Sequence, residues 1–281
     1  MTTGNPTGET LHFTILGCGS SAGVPRVGNI WGACDPNEPR NRRKRCALLV
    51  RRIGPEGETT VLVDAGPDLR QQLLDAAVTD LDAVLLTHAH ADHLHGIDDV
   101  RPLAITHRKR IPVYMDALTS ERANALFGYG FHTPKGSSYP PILSEHRIVA
   151  GCEQVIDGAG GPIRFTPFEV DHGDIPALGF RFENVAYLPD VKDIPPSSID
   201  GVSGLDVWII DALRRSSHPS HFSLDDALGW IAQMGPKRAI LTNMHVDLDY
   251  RTLERELPPG VEPGYDGMRF EVPAMARATT G

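Results

Sequence analysis

The chain has 281 residues, 41% of them hydrophobic, enough to bury a substantial core as one large two-sheet domain or two smaller ones. A formal net charge of −9 argues against a nonspecific nucleic-acid surface, and the absence of any run of about eighteen apolar residues excludes a membrane-spanning helix. Cys18, Cys34, Cys46 and Cys152 lie far apart without a C-x-x-C pair, which indicates neither a disulfide framework nor a sulfur-bound zinc knuckle and points to a reducing cytoplasm.

The first residues, Met1-Thr2-Thr3-Gly4-Asn5-Pro6, lack the basic and apolar regions of a secretory signal, so 1–9 is expected to be a flexible tail. Strands are predicted at 11–16, 46–50 and 60–63, each an apolar run bounded by Gly or Pro, and together they should build a first sheet. Leu69, Leu73, Leu74, Ala77 and Val78 recur at helical spacing after Pro67-Asp68, which predicts an amphipathic helix over 68–78 covering that sheet. The second half repeats the scheme, with strands near 163–170, 177–183, 185–188 and 206–210. A helix should then run from Ser223 to about Met234, with Ser223 and Asp226 resembling a capping box. Strand 238–242, helix 249–257 and a terminal strand at 268–272 follow, with no short-period repeat. The expected organisation is one domain over 10–273 with a second flexible tail at 274–281.

The apolar run Ala83-Val84-Leu85-Leu86 delivers the chain to Thr87-His88-Ala89-His90-Ala91-Asp92-His93. Three imidazoles and a carboxylate within six residues, at the end of a strand, suit zinc and similar divalent ions far better than they suit a polar surface turn. Strand, T-H-x-H-x-D-H and then Gly96 resemble the signature of the metallo-β-lactamase superfamily. That resemblance implies a four-layer αββα sandwich of two mixed β-sheets flanked by helices, and a two-metal hydrolytic centre.

The resemblance also implies three further ligands at strand ends. The candidates in order are His172 in Val170-Asp171-His172-Gly173, Asp190 after Leu188-Pro189, and His245 in Asn243-Met244-His245. In the family pattern His88, His90 and His172 hold one ion, Asp92, His93 and His245 hold the other, and Asp190 bridges both. The cofactors expected are two divalent ions, Zn²⁺ or Mn²⁺, roughly 3.5–4 Å apart, with a hydroxide between them as nucleophile. Asp64, in Val63-Asp64-Ala65-Gly66, occupies the place of a family acid that braces the site without binding metal.

Fold alone cannot choose among lactams, thioesters, lactones and phosphodiesters. Leu16-Gly17-Cys18-Gly19-Ser20-Ser21, Asp64-Ala65-Gly66-Pro67-Asp68-Leu69-Arg70 and Tyr265-Asp266-Gly267-Met268 resemble the PhnP-type phosphoribosyl cyclic phosphodiesterases, relatives of tRNase Z. By that likeness His221, just before a helix N-terminus, corresponds to a histidine that gives a proton or binds a phosphate oxygen. Asp92 and His221 are therefore the candidate catalytic residues. His218 reads as an ordinary loop residue, and His12, His95, His107, His132 and His146 as structural or solvated. The loop around His132 is a candidate cover for the pocket.

PhnP-type enzymes can carry a structural zinc on closely spaced cysteines after the first strand. Only Cys34 stands there, which places this chain in a neighbouring branch and opens the question of its substrate. The run Arg40-Asn41-Arg42-Arg43-Lys44-Arg45 is read first as a solvated basic loop, next as a small phosphate site, and last as an RNA-binding arm. The expected function is that of a cytoplasmic dimetal phosphodiesterase acting on a small cyclic phosphate of a ribose or nucleotide. RNA is a less favoured partner, no membrane partner is expected, and a homodimer is left open. The alternatives are a thioester or lactone hydrolase, or a noncatalytic accessory protein resembling PqqB.

Overall fold

The structure, a computed structural model, describes residues 10–274. The first half contains β1 (Thr10–Gly17), β2 (Ala47–Gly54), β3 (Gly57–Val63), α1 (Leu69–Asp75), β4 (Ala83–Leu85), α2 (Ala91–Leu94), α3 (Arg101–His107), β5 (Ile111–Met115), α4 (Ala117–Phe131) and β6 (Leu143–Arg147). The second contains β7 (Gln154–Ile156), β8 (Ile163–His172), β9 (Ile175–Phe182), β10 (Val185–Leu188), α5 (Ile199–Val202), β11 (Val207–Asp211), α6 (Leu224–Met234), β12 (Arg238–Thr242), α7 (Tyr250–Glu256), β13 (Val261–Pro263) and β14 (Arg269–Pro273).

These strands form two mixed seven-stranded sheets, ordered β14-β1-β2-β3-β4-β5-β6 and β13-β12-β11-β10-β9-β8-β7. In the first, β14 through β3 pair antiparallel and β3 through β6 parallel. In the second, β7 through β10 pair antiparallel and β10 through β13 parallel. Alternation along the strands of the first sheet sorts its two faces. Phe13, Ile15, Leu48, Val50, Val61 and Val63 enter the core shared with Phe165, Phe180, Phe182 and Trp208 of the second sheet. Leu49, Leu62 and Val84 point the other way, onto Leu69 and Leu73 of α1 and Ala104 of α3. Burying each such leucine is worth about 1.5–3 kcal/mol. With α6 and α7 supplying Leu224, Ala227, Ile231 and Leu253 to the second sheet's core, the architecture is the αββα sandwich.

The Ser223 cap is as the sequence indicates: its hydroxyl accepts from the Asp226 N–H at 3.2 Å, and Asp226 accepts from the Ser223 N–H at 2.9 Å. The helix expected over 68–78 stops earlier, at Asp75, because Ala77 takes a left-handed φ of +50°. Eight elements, α2, α3, β5, α4, β6, β7, α5 and β13, fall where the sequence reading made no assignment. In α4 the polar Thr119 and Ser120 are buried while Leu118 and Leu126 are exposed, so the helix has no apolar stripe to read. Of the tails expected at 1–9 and 274–281, residues 1–9 and 275–281 lie outside the described residues. Ala274, placed in a tail by the sequence reading, is instead buried in the core.

Candidate metal centre

The centre forms where the parallel strands of both sheets end. Asp64 follows β3, His88 follows β4, Asp190 follows β10, Asp211 closes β11, and Asn243 and His245 follow β12. Such C-terminal ends release the chain from the ladder and aim successive side chains at one point. The Leu178 N–H of the second sheet donates to the Thr87 carbonyl at 2.9 Å, fastening the motif loop across the sandwich. Gly96 explains its place in the signature: a Cβ there would lie 1.9 Å from the Gly66 carbonyl oxygen, so only glycine lets the two loops meet.

His88, His90, His172 and Asp190 bring four ligand atoms within 4.8 Å of one another. His88 Nε2 lies 2.9 Å from His90 Nδ1 and 3.6 Å from Asp190 Oδ2, while His172 Nε2 is 3.4 Å from the same oxygen. A second constellation adjoins it through Asp190. His93 Nε2 is 3.3 Å from Asp190 Oδ1 and 3.4 Å from Asp92 Oδ2. His245 lines the same cavity, of about 320 Å³, with His90, Asp92, Asp190 and His221. All seven expected ligands therefore converge here, although His245 stands outside the four-group cluster.

Four of the five rings are anchored on their far side, while His90 turns its Nδ1 to the Nε2 atoms of His88 and His172 at 2.9 and 3.3 Å. His172 Nδ1 donates to the Ser220 carbonyl at 2.7 Å, His93 Nδ1 to Asp64 at 2.8 Å, and His245 Nδ1 to Asp247 at 2.6 Å. Thr87 spends its hydroxyl proton on Asp64 at 3.0 Å, so His88 Nδ1 donates to the Thr87 oxygen at 2.9 Å. Each of these rings therefore has Nε2 clear of its anchor, the nitrogen a metal would take once it carries no proton.

Electrostatics agree with this arrangement. Burial holds His88 well below the usual imidazole range, and His90 and His172 below it, so all three are neutral at pH 7. Burial also disfavours a cation at His93, but Asp190, Asp64 and Asp92 outweigh it and push that ring well above its ordinary value. A positive charge is demanded at this point.

A family model described as the beta-lactamase superfamily domain matches residues 59–244. The chain belongs to the beta-lactamase superfamily. Among relatives by sequence, it is 34% identical over 264 residues to an octanoyltransferase of Porphyromonas gingivalis, covering 92% of this chain and 51% of that protein. It is 31% identical over 171 residues to a ribonuclease Z of Methanopyrus kandleri, covering 57% of this chain and 53% of the relative. The chain thus spans about half the length of both. The crystal structure of a diphosphatase from the PhnP family superimposes with a TM-score of 0.81 at 33% identity, covering 94% of this chain and 97% of that one.

Superfamily membership implies divalent metal, and the residues present fit it. His93 Nε2 and Asp190 Oδ1 are both buried without a hydrogen-bond partner, an expensive arrangement for two polar atoms unless a cation lies between them. Asp190 contacts both constellations, Oδ2 toward His88 and His172 and Oδ1 toward His93.

His221 sits beside the cluster, its ring 4.6 Å from that of His172. Its Nδ1 donates to Asp211 Oδ2 at 2.9 Å, and Asn243 Nδ2 donates to Asp211 Oδ1 at 3.1 Å, which leaves His221 Nε2 for the cavity. Burial opposes the imidazolium, but Asp211 overrides it and the group is pushed up to about 9; burial in turn raises Asp211 to about 6. Asp211 and Asn243 escaped the sequence reading. Asp211 had a signal, since it ends the apolar strand Val207-Trp208-Ile209-Ile210 as Asp190 follows its own.

Three expectations need correction. His218 is not an ordinary loop residue: it lines the cavity, 5.0 Å from the His221 ring. His132 is exposed and does not border the cavity, and Tyr139 to Ile142 of its loop line a different one of about 520 Å³. The basic run is not a solvated loop. Arg43 is 2% exposed and donates to the Leu248 carbonyl at 2.7 Å, while Arg40, Lys44 and Arg45 pair with Glu38, Asp75 and Asp68 at 2.8, 2.8 and 3.0 Å. Folding distributes these cations among acceptors near and far along the chain, and the arginines that line the cavity are instead Arg26 and Arg214.

Proposed function

We propose that the protein is a dimetal-dependent hydrolase of a phosphodiester, its substrate a small cyclic phosphate of a ribose or nucleotide. The observation that carries this reading is His221, held by Asp211 with Nε2 facing the cavity of the ligand cluster. His88, His90 and His172 would hold one ion, Asp92, His93 and His245 the other, with Asp190 between them. Bound there, two divalent ions would supply Lewis acidity toward a phosphate oxygen and activate water. The chain's own part is orientation and proton supply. An imidazolium at His221 donates to a phosphate oxygen or to the departing alkoxide, and Arg26 and Arg214 add positive charge to the cavity wall. A thioester or lactone needs neither the buried proton donor nor the cations. The PhnP-family diphosphatase supports a second reading, a diphosphate as substrate, because the same groups suit a phosphoric anhydride.

A panel in Mn²⁺ and in Zn²⁺ tests the class: bis-aryl phosphodiesters, 2′,3′- and 1,2-cyclic phosphates, dinucleoside diphosphates, phosphomonoesters, β-lactams and glutathione thioesters. Cyclic phosphates and diesters should lead. A thioester or β-lactam ahead by a large factor overturns the proposal, and a leading diphosphate selects the second reading.

A further inference from the structure

Beside the metal cavity lies a segment that hydrolysis of a bare ribose phosphate leaves unused. After Val24 the chain makes a short hairpin in which Arg26 and Ile30 exchange backbone hydrogen bonds of 3.0 and 3.2 Å. Arg26 lines the cavity with His90, Asp190 and His221, its Nε buried without a hydrogen-bond partner. The tip is apolar and open, with Val27 97% and Ile30 52% exposed. Trp31 follows, half-buried against Val24, Cys34 and Val246. Val246 comes directly after His245 of the cavity, so this cluster and the metal centre share one loop.

Gly32 secures that junction. It has a φ of +58°, and a Cβ there would meet the Val246 carbonyl oxygen at 2.6 Å; the Ala33 N–H donates to the same oxygen at 2.9 Å. The guanidinium of the exposed Arg42 stands 5.0 Å from the Trp31 ring centroid. Single exposed hydrophobic residues need no explanation. Here two of them share one short segment with Trp31, whose ring Arg42 covers, and Arg26 of the same segment lines the cavity. That is the chemistry of a base-stacking platform beside a phosphate site: a flat ring system covers the apolar surface and the cations face its phosphate.

We propose that the segment Arg26–Trp31, with Arg42, is a nucleoside-binding ledge, so that the substrate of the adjacent centre is a nucleotide rather than a bare ribose phosphate. The inference rests on the phosphodiesterase reading for where the phosphate sits. The ledge orients the nucleoside, and Trp31 and Arg42 are positioning residues with no part in the bond cleavage.

AMP and ribose 5-phosphate carry the same phosphate and sugar class, so calorimetric titration of the metal-loaded protein with each isolates the base. AMP should bind at least about 10-fold more tightly, within the range of one stacked base. Trp31→Ala should bring the ratio to within about 2-fold, Trp31→Phe should keep most of it, and Arg42→Ala should lower it in part. Equal affinities in the unmodified protein, no AMP binding at millimolar concentration, or a Trp31→Ala variant that weakens both ligands alike would each overturn the ledge. Should Trp31→Ala fail to fold, Arg42→Ala and Val27→Asp decide: a fall in the ratio for both supports the ledge, and no change in either removes it. Turnover of thymidine 5′-(p-nitrophenyl phosphate) against methyl p-nitrophenyl phosphate separates the two claims. AMP preference without turnover of either ester keeps the ledge and removes the phosphodiesterase reading; equal turnover without AMP preference does the reverse.

Discussion

His93 donates from Nδ1 to Asp64 Oδ2 across 2.8 Å, with both side chains fully buried. Asp64 also accepts from the Thr87 N–H at 2.9 Å, so one carboxylate sets both the start of the motif loop and the orientation of the ring at its end. Asp64→Asn keeps the size and tolerates the left-handed φ of +65° at this position. It loses the charge that fixes the His93 tautomer. Metal affinity should fall by about 10- to 100-fold with the fold retained, as competitive chelator titration would measure. Unchanged affinity would remove Asp64 from the support of the centre.

Fully loaded protein should contain two divalent ions per chain, located by anomalous maps on His88, His90, Asp92, His93, His172, Asp190 and His245. Asp190→Ala should lower occupancy most, because it removes the one carboxylate shared by both constellations. A reproducible single ion, or ligands elsewhere, would contradict the assignment. Chelation should lower the melting temperature, since it leaves His93 Nε2 and Asp190 Oδ1 buried and unpaired.

His221→Ala should keep both metals and the fold yet lose roughly 10²–10⁴-fold in turnover of substrates with poor leaving groups. A p-nitrophenolate leaving group needs little protonation and should suffer less. An equal fall for both would assign His221 to phosphate binding, and unchanged rates would exclude it from the chemistry.

Asp249 caps α7, accepting from the Thr252 N–H at 2.9 Å, the Asn41 side chain at 2.7 Å and the Asp35 N–H at 3.1 Å. Burial works against its charge, but these donors prevail and hold its pKa at about 2. A depressed carboxylate stabilises the fold above its unfolded value of 3.8 and loses that contribution as the pH falls through about 2. Asp249→Ala should therefore cost about 1 kcal/mol at neutral pH. The difference from the unmodified protein should shrink between those two pKa values, as urea denaturation at stepped pH would show. A gap independent of pH would mean that packing, and not the charge, is what the substitution removes.

Much of this protein was written locally in its sequence. The T-H-x-H-x-D-H signature and the Ser223 cap depend on neighbours within a few residues, which is why spacing and residue type reveal them, and the resemblance that signature carries pointed on to His172, Asp190 and His245 at strand ends. Cores with alternating or helical periodicity are legible for the same reason. Other features are products of distance. Whether Arg43 is solvated depends on the Leu248 carbonyl, a contact 205 residues away in the chain. That Arg26 enters the metal cavity and Arg40 does not is decided by which loops the two sheets bring to one edge, and no local pattern encodes it. The Asp211–His221–Asn243 arrangement joins three separate strand ends and loops, so its members look unremarkable until the parallel strands align them. α4 stayed hidden because its buried face is small and polar, and packing rather than periodicity placed it. The candidate ligands were therefore a matter of sequence, whereas tautomer, charge and the lining of the cavity were set by tertiary structure, where burial and distant partners act.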